Sequence, residues 1–121
     1  MNAYEIPNLR FSLPAGGAVA RNRFVSVDTN GNGIQATAAT AVIGASMNLV
    51  TSEENTAGGH IVEVADGIVM VEASAVIAAG VKVASTADGK AVTYASGTTG
   101  DTCGIAITGA TKAGELVAVK L

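Results

Sequence analysis

The chain has 121 residues, a formal net charge of −3 and an apolar fraction of 49%. This length suits one domain, and a composition rich in valine, alanine and glycine favours short strands and tight turns over long helices. The seven basic residues do not form the cluster that nucleic-acid binding requires, and charges interrupt every apolar stretch that is long enough to cross a bilayer.

Residues 1–14 are predicted to form an N-terminal arm, which is either an edge strand or an extended segment. The stretch "YEIPNLRFSLP" contains Pro7 and Pro14, which exclude it from a central strand. The arm either folds back on its own domain or lies on a neighbouring molecule or a capsid surface. In the second case the contacts would come from Tyr4, Ile6, Leu9, Arg10 and Phe11. The arm has neither a basic start nor a continuous apolar run, so no signal peptide is expected.

The stretch "VDTNGNGIQA", residues 27–36, spells the first half of a calcium loop from Asp28 onwards. Such a loop needs a bidentate acid at its twelfth position. That position is Ala39 here. Asn and Gly also supply the positive φ angles of tight turns. We therefore predict a turn, and no metal site.

The stretch "HIVEVADGIVMVE", residues 60–72, contains two alternating apolar runs around Asp66-Gly67. This dipeptide favours a two-residue hairpin turn. The predicted hairpin pairs Val64 with Val69 and Val62 with Val71 on a core face. The other face contains both charged and apolar residues, which is typical of a partly covered surface at a subunit contact. Its apolar members are Ile61, Ile68 and Met70.

A second hairpin is predicted over residues 81–95, with its tip at Asp88-Gly89. The final strand, "GELVAVKL", places Val117, Val119 and Leu121 on one face, so the end of the chain is expected to join the sheet.

Two halves of the sequence resemble each other. Residues 23–38 match residues 80–95, with Val25 and Val27 opposite Val81 and Val83 and with Gly33 opposite Gly89. We predict a single β domain over residues 15–121, built from pseudo-repeats at about 15–67 and 68–121. Two such halves would form a compact barrel or sandwich.

Few residues suggest catalysis. His60 and Cys103 are the only residues of their types, and neither lies in a nucleophile motif or a zinc-ligand pattern. Lys90 follows a hairpin tip, as the modified lysine of lipoyl and biotinyl carrier domains does, but "DGKAV" fits neither consensus well. We predict a protein that is not an enzyme and that uses no cofactor.

The order of several motifs resembles the small capsid decoration, or cement, proteins of tailed bacteriophages. The motifs are "PAGGAVARNRFVSV", "VIGAS", "AGGHIVEVADGIVMVEAS", "IAAGVKVASTADGKAV", "TCGIAI" and "KAGELVAVKL". The resemblance implies an all-β, β-tulip-like barrel that assembles as a homotrimer. It also implies a structural protein made in the host cytoplasm that binds the major capsid protein on the outer surface of the virion and stabilises the shell. A generic β-sandwich adhesion or surface module is the first alternative, and a lipoyl- or biotinyl-type carrier domain is the second.

Overall fold

The computed structural model describes residue 3 and residues 5–121, apart from the side chain of Pro7. This part of the chain contains nine strands and one short helix. The predicted all-β fold is confirmed. None of the described helices has the length and apolarity to cross a membrane. The elements are β1 (Ile6–Pro14), β2 (Phe24–Val27), β3 (Gly33–Gln35), β4 (Gly44–Ser46), α1 (Ser52–Ala57), β5 (Ile61–Glu72), β6 (Lys82–Ser85), β7 (Ala91–Thr93), β8 (Thr102–Ala106) and β9 (Leu116–Lys120).

All nine strands belong to one curled antiparallel sheet in the order β3-β2-β4-β5-β9-β8-β6-β7, with β1 paired to β5 outside this path. The long strand β5 lies at the centre. Its first part pairs with β1 on one edge and β4 on the other, and its last five residues pair with β9. The segment predicted as an arm is therefore, from residue 6 onwards, a strand of the chain's own sheet.

The hairpin predicted at Asp66-Gly67 is wrong, because β5 runs without interruption from Ile61 to Glu72. Leu9 and Pro7 of strand β1 pair with Asp66 and Gly67, respectively. The sheet therefore continues through the two residues that the sequence predicts to form a turn. The faces change accordingly. In a continuous strand the side chains alternate, which places Ile61 on the face opposite to Ile68 and Met70.

Strand β5 contributes to two core clusters on its two faces. Val62 and Val64 belong to the smaller cluster, and Val69 and Val71 belong to the larger one. All four are fully buried, as predicted, although they do not pair with one another. This long strand therefore holds the two halves of the molecule together.

A set of backbone hydrogen bonds occurs twice, 58 residues apart. Asp28 N–H donates to Asn32 O in the β2–β3 turn, and Thr86 N–H donates to Lys90 O in the β6–β7 turn. Gly31 and Gly89 occupy equivalent positions with positive φ angles of 82° and 73°. The predicted match of Gly33 with Gly89 is thus wrong by two residues. A two-residue shift preserves strand alternation, so the valine pattern alone could not exclude it.

The hairpin predicted around Asp88-Gly89 is confirmed as β6–β7, in which Val83 pairs with Thr93. The last strand is also confirmed. Val117 and Val119 are fully buried, and the Leu121 N–H donates to Gly67 O at 2.9 Å. This bond ties the end of the chain to the middle of β5.

Candidate interaction surfaces

Strand β1 presents the first candidate surface. Ile6 and Leu9 are 56% and 55% exposed, and Arg10 is exposed on the other face of the strand. Phe11 is half-buried and packs against the smaller core cluster. Tyr4 lies outside the described residues. The exposed apolar area of β1 is therefore supplied by Ile6 and Leu9.

A shallow depression of about 190 Å³ adjoins the Arg10 side of β1. It is lined by Arg10, Phe11, Ser12, Met47, Glu63 and Val64. Arg10 and Glu63 give this depression one charge of each sign at its rim.

The second candidate surface is a row of side chains that crosses five strands. Ile68 of β5 is in register with Ile6 of β1 and with Lys120 of β9. Lys120 is in register with Ile105 of β8, which is in turn in register with Lys82 of β6. The sequence predicts contacts for two residues of this row, Ile6 and Ile68. Met70, another predicted contact residue, lies two residues along β5 from Ile68 on the same face.

Ile105 is the residue that the sequence analysis missed. Its side chain is 44% exposed, between the exposed side chains of Lys82 and Lys120. Alternation within "TCGIAI" separates Ile105 from the buried Ala106, and this was the available signal. Ile61, on the opposite face of β5, is also exposed but has no place in this row.

A charged cluster connects the two halves beside this surface. The Glu72 carboxylate lies 3.0 Å from the Lys90 Nζ and 3.5 Å from an Arg23 nitrogen. Hydrogen bonding from Lys90, together with the charge of Arg23, lowers the pKa of Glu72 despite partial burial. The Arg23 Nη1 also donates to the Asp88 carbonyl. Lys90 is therefore engaged in an ion pair, unlike the free lysine at the tip of a carrier domain.

The remaining chemical candidates have local structural roles. The Asp28 Oδ1 accepts hydrogen bonds from the N–H groups of Asn30 and Asn32, both at 2.9 Å, which confirms the predicted turn. The His60 Nδ1 lies 3.5 Å from a Glu54 oxygen, and Glu54 caps helix α1 through Thr51. No cluster of metal-ligating side chains occurs in residues 3 and 5–121.

Cys103 lies at the start of β8, beside an open groove formed with residues 38–42. Burial raises the pKa of its thiol, whereas a nucleophilic cysteine needs a lowered pKa. The Cys103 side chain also packs against the larger core cluster. These properties are typical of a structural cysteine.

Comparison with known proteins finds similarity among solved structures. Neither the known protein families nor the curated proteins include a match to this sequence. Among solved structures, the N base of the head fibre gp8.5 of bacteriophage phi29 is similar, with a TM-score of 0.71 and 21% sequence identity over 93% of this chain and 92% of that chain. At this identity the likeness establishes a shared fold.

Proposed function

We propose that this protein is a structural component of a phage virion that binds the outside of the capsid shell and stabilises it without catalysis. The observation that carries the proposal is the fold shared with the phi29 head-fibre base over nearly the whole chain. The motif order that resembles capsid decoration proteins supports the same assignment. The partner would be the major capsid protein.

The architecture suits this role. The nine strands form one sheet whose central strand joins both halves, so the domain offers a rigid platform. A clip that binds across subunit boundaries stabilises the assembled shell by its binding free energy. The protein would act as a homo-oligomer, with a trimer as the favoured state. Many oligomers bound to one shell would add avidity, so that no single contact needs to be tight.

Strand β1 would supply the capsid contact. Ile6 and Leu9 are exposed apolar residues on a strand that is interrupted by proline and has one sheet neighbour, β5, among the described residues. Arg10 would add a polar contact from the other face of the strand. An exposed apolar edge favours association and is commonly protected or used for binding.

The test is a binding assay with purified, empty, expanded capsids. Deletion of residues 1–11 would remove sheet pairing, so the double substitution Ile6→Glu and Leu9→Glu is the better variant. Leu49→Glu is the matched control, because Leu49 is an equally exposed leucine that does not belong to β1. We expect the wild type and the control to co-sediment with capsids and the double variant to lose binding. Unchanged binding of the double variant would exclude β1 as the contact, and failure of the wild type to bind would refute the proposed function.

A further inference from the structure

A row of side chains occurs in both halves of the molecule at equivalent positions. In the first half the row crosses the paired strands β1, β5, β4 and β2. In the second half the same pairings occur between β5, β9, β8 and β6, in that order. The first row is Arg10, Ala65, Ala45 and Phe24. The second row is Ile68, Lys120, Ile105 and Lys82.

The second half of the same chain covers three of the four residues of the first row, and Arg10 remains exposed. Phe24, Ala45 and Ala65 are buried, and they share the larger core cluster with Val83 and Val119 of the second half. The cover includes the β6–β7 turn, because the Phe24 N–H donates to the Gly89 carbonyl at 2.8 Å. The Arg23–Asp88 hydrogen bond holds the same turn in place.

The second row has no such cover among the described residues. Ile105 is nearly half exposed, and Lys82 and Lys120 are exposed on either side of it. The backbone N–H of Lys82, which corresponds to that of Phe24, donates to no turn or loop carbonyl in residues 3 and 5–121. The second row therefore presents an apolar side chain and a backbone N–H donor. In the first half, the β6–β7 turn covers the equivalent positions.

The element that would cover this row is also exposed. The β2–β3 turn is equivalent to the β6–β7 turn by its hydrogen bonds. Gly89 and Ser85 of the covering turn are buried, whereas the equivalent Gly31 is exposed and the equivalent Val27 is 39% exposed. The β2–β3 turn of the first half and the second row, which we call the Ile105 row, are thus both without a partner among the described residues.

We propose that a second copy of this chain places its β2–β3 turn over the Ile105 row, repeating between molecules the contact that joins the two halves within one. The contact is heterologous, since the two copies use different surfaces, so successive contacts close a ring if the rotation permits. Lys82 and Lys120 replace the apolar Phe24 and Ala65 of the covered row, and Asp28 at the base of the incoming turn supplies the opposite charge. This inference concerns association in solution and does not depend on capsid binding.

Gly31 offers a variant that should fold but not associate. A Cβ at Gly89 would lie 3.1 Å from the Phe24 carbonyl oxygen and 3.2 Å from that of Ala36, so the covered contact leaves no room for a side chain there. A Cβ at Gly31 meets nothing within 4 Å in the single chain. Asparagine tolerates a positive φ, so Gly31→Asn is expected to fold and to clash only in the associated state. Gly114→Asn, at another open glycine with positive φ, is the control.

Ile105→Glu tests the other surface, with Val76→Glu as the control at a more exposed apolar residue outside the row. Molar mass is measured by sedimentation velocity over a range of protein concentrations, and folding is checked by circular dichroism. The wild type and both controls should reach at least twice the monomer mass. Gly31→Asn and Ile105→Glu should each stay monomeric with unchanged spectra.

Mixing the two monomeric variants distinguishes this contact from a symmetric one. Gly31→Asn keeps an intact Ile105 row, and Ile105→Glu keeps an intact β2–β3 turn. An equimolar mixture should therefore form dimers and nothing larger, because one productive contact remains for each pair. A monomeric wild type, association that survives either substitution, or a mixture that stays monomeric would overturn the proposal.

Discussion

Replacement of Phe24 by alanine measures how strongly the second half of the chain covers the first. Phe24 is fully buried in the larger core cluster although it begins a strand of the first half. Removal of a buried phenylalanine side chain costs about 3–5 kcal/mol, because apolar contact is lost and a cavity remains. Lys82 occupies the equivalent position in the second half and is exposed. Lys82→Ala should therefore change the free energy of unfolding by no more than about 0.5 kcal/mol.

The assay is urea unfolding of both variants in the Gly31→Asn background, so that association does not contribute to the measured stability. With a slope of about 1.5 kcal/mol per molar urea, Phe24→Ala should lower the transition midpoint by about 2–3 M and leave the slope unchanged. Lys82→Ala should leave the midpoint almost unchanged. Two outcomes would refute the conclusion that Phe24 is covered and Lys82 is not. They are equal losses of unfolding free energy in the two variants, or a loss below about 1 kcal/mol for Phe24→Ala.

Three further predictions concern single residues. Gly104→Ala should destabilise the fold by about 1–3 kcal/mol in urea unfolding, because a Cβ there would collide with the Lys120 carbonyl oxygen; an unchanged midpoint would contradict this close approach. Glu72→Gln should cost up to about 1 kcal/mol at neutral pH. Because the ion pairs lower the pKa of Glu72, its contribution is present above the unfolded-state pKa and disappears as the pH falls through the folded-state pKa, so the variant and the wild type should converge in stability in acid. Cys103 should react with iodoacetamide at pH 8 more slowly in the folded protein than in urea, because burial raises its pKa; equal rates would contradict that environment.

The same dipeptide shows how far local sequence determines this fold. Asp88-Gly89 forms the predicted turn between β6 and β7, with Gly89 at a positive φ. Asp66-Gly67 lies inside β5, where β1 pairs with it. Gly67 also has a positive φ, of 113°, so the backbone preference is expressed in both places. What differs is the partner strand, which comes from a segment more than fifty residues away and leaves no local signal.

The candidate surfaces show the same limit. Exposed residues on β1 could be selected from the sequence because Pro7 and Pro14 exclude a central strand there. The exposure of Ile105 could not be selected in this way. Alternation separates Ile105 from Ala106, but Ile105 and Ala45 are similar in pattern and differ in cover. Ala45 is buried by residues of the second half, and Ile105 is left open. Such cover is a long-range contact that only the folded chain reveals.

The proposed function is tested most directly by imaging. Purified protein is mixed with empty, expanded phage capsids, and the complexes are examined by electron cryo-microscopy. We expect saturable density at regular lattice positions on the outer surface of the shell, into which the nine-stranded domain fits with β1 towards the capsid. Capsids that remain bare at saturating protein, or density on the inner surface alone, would contradict it.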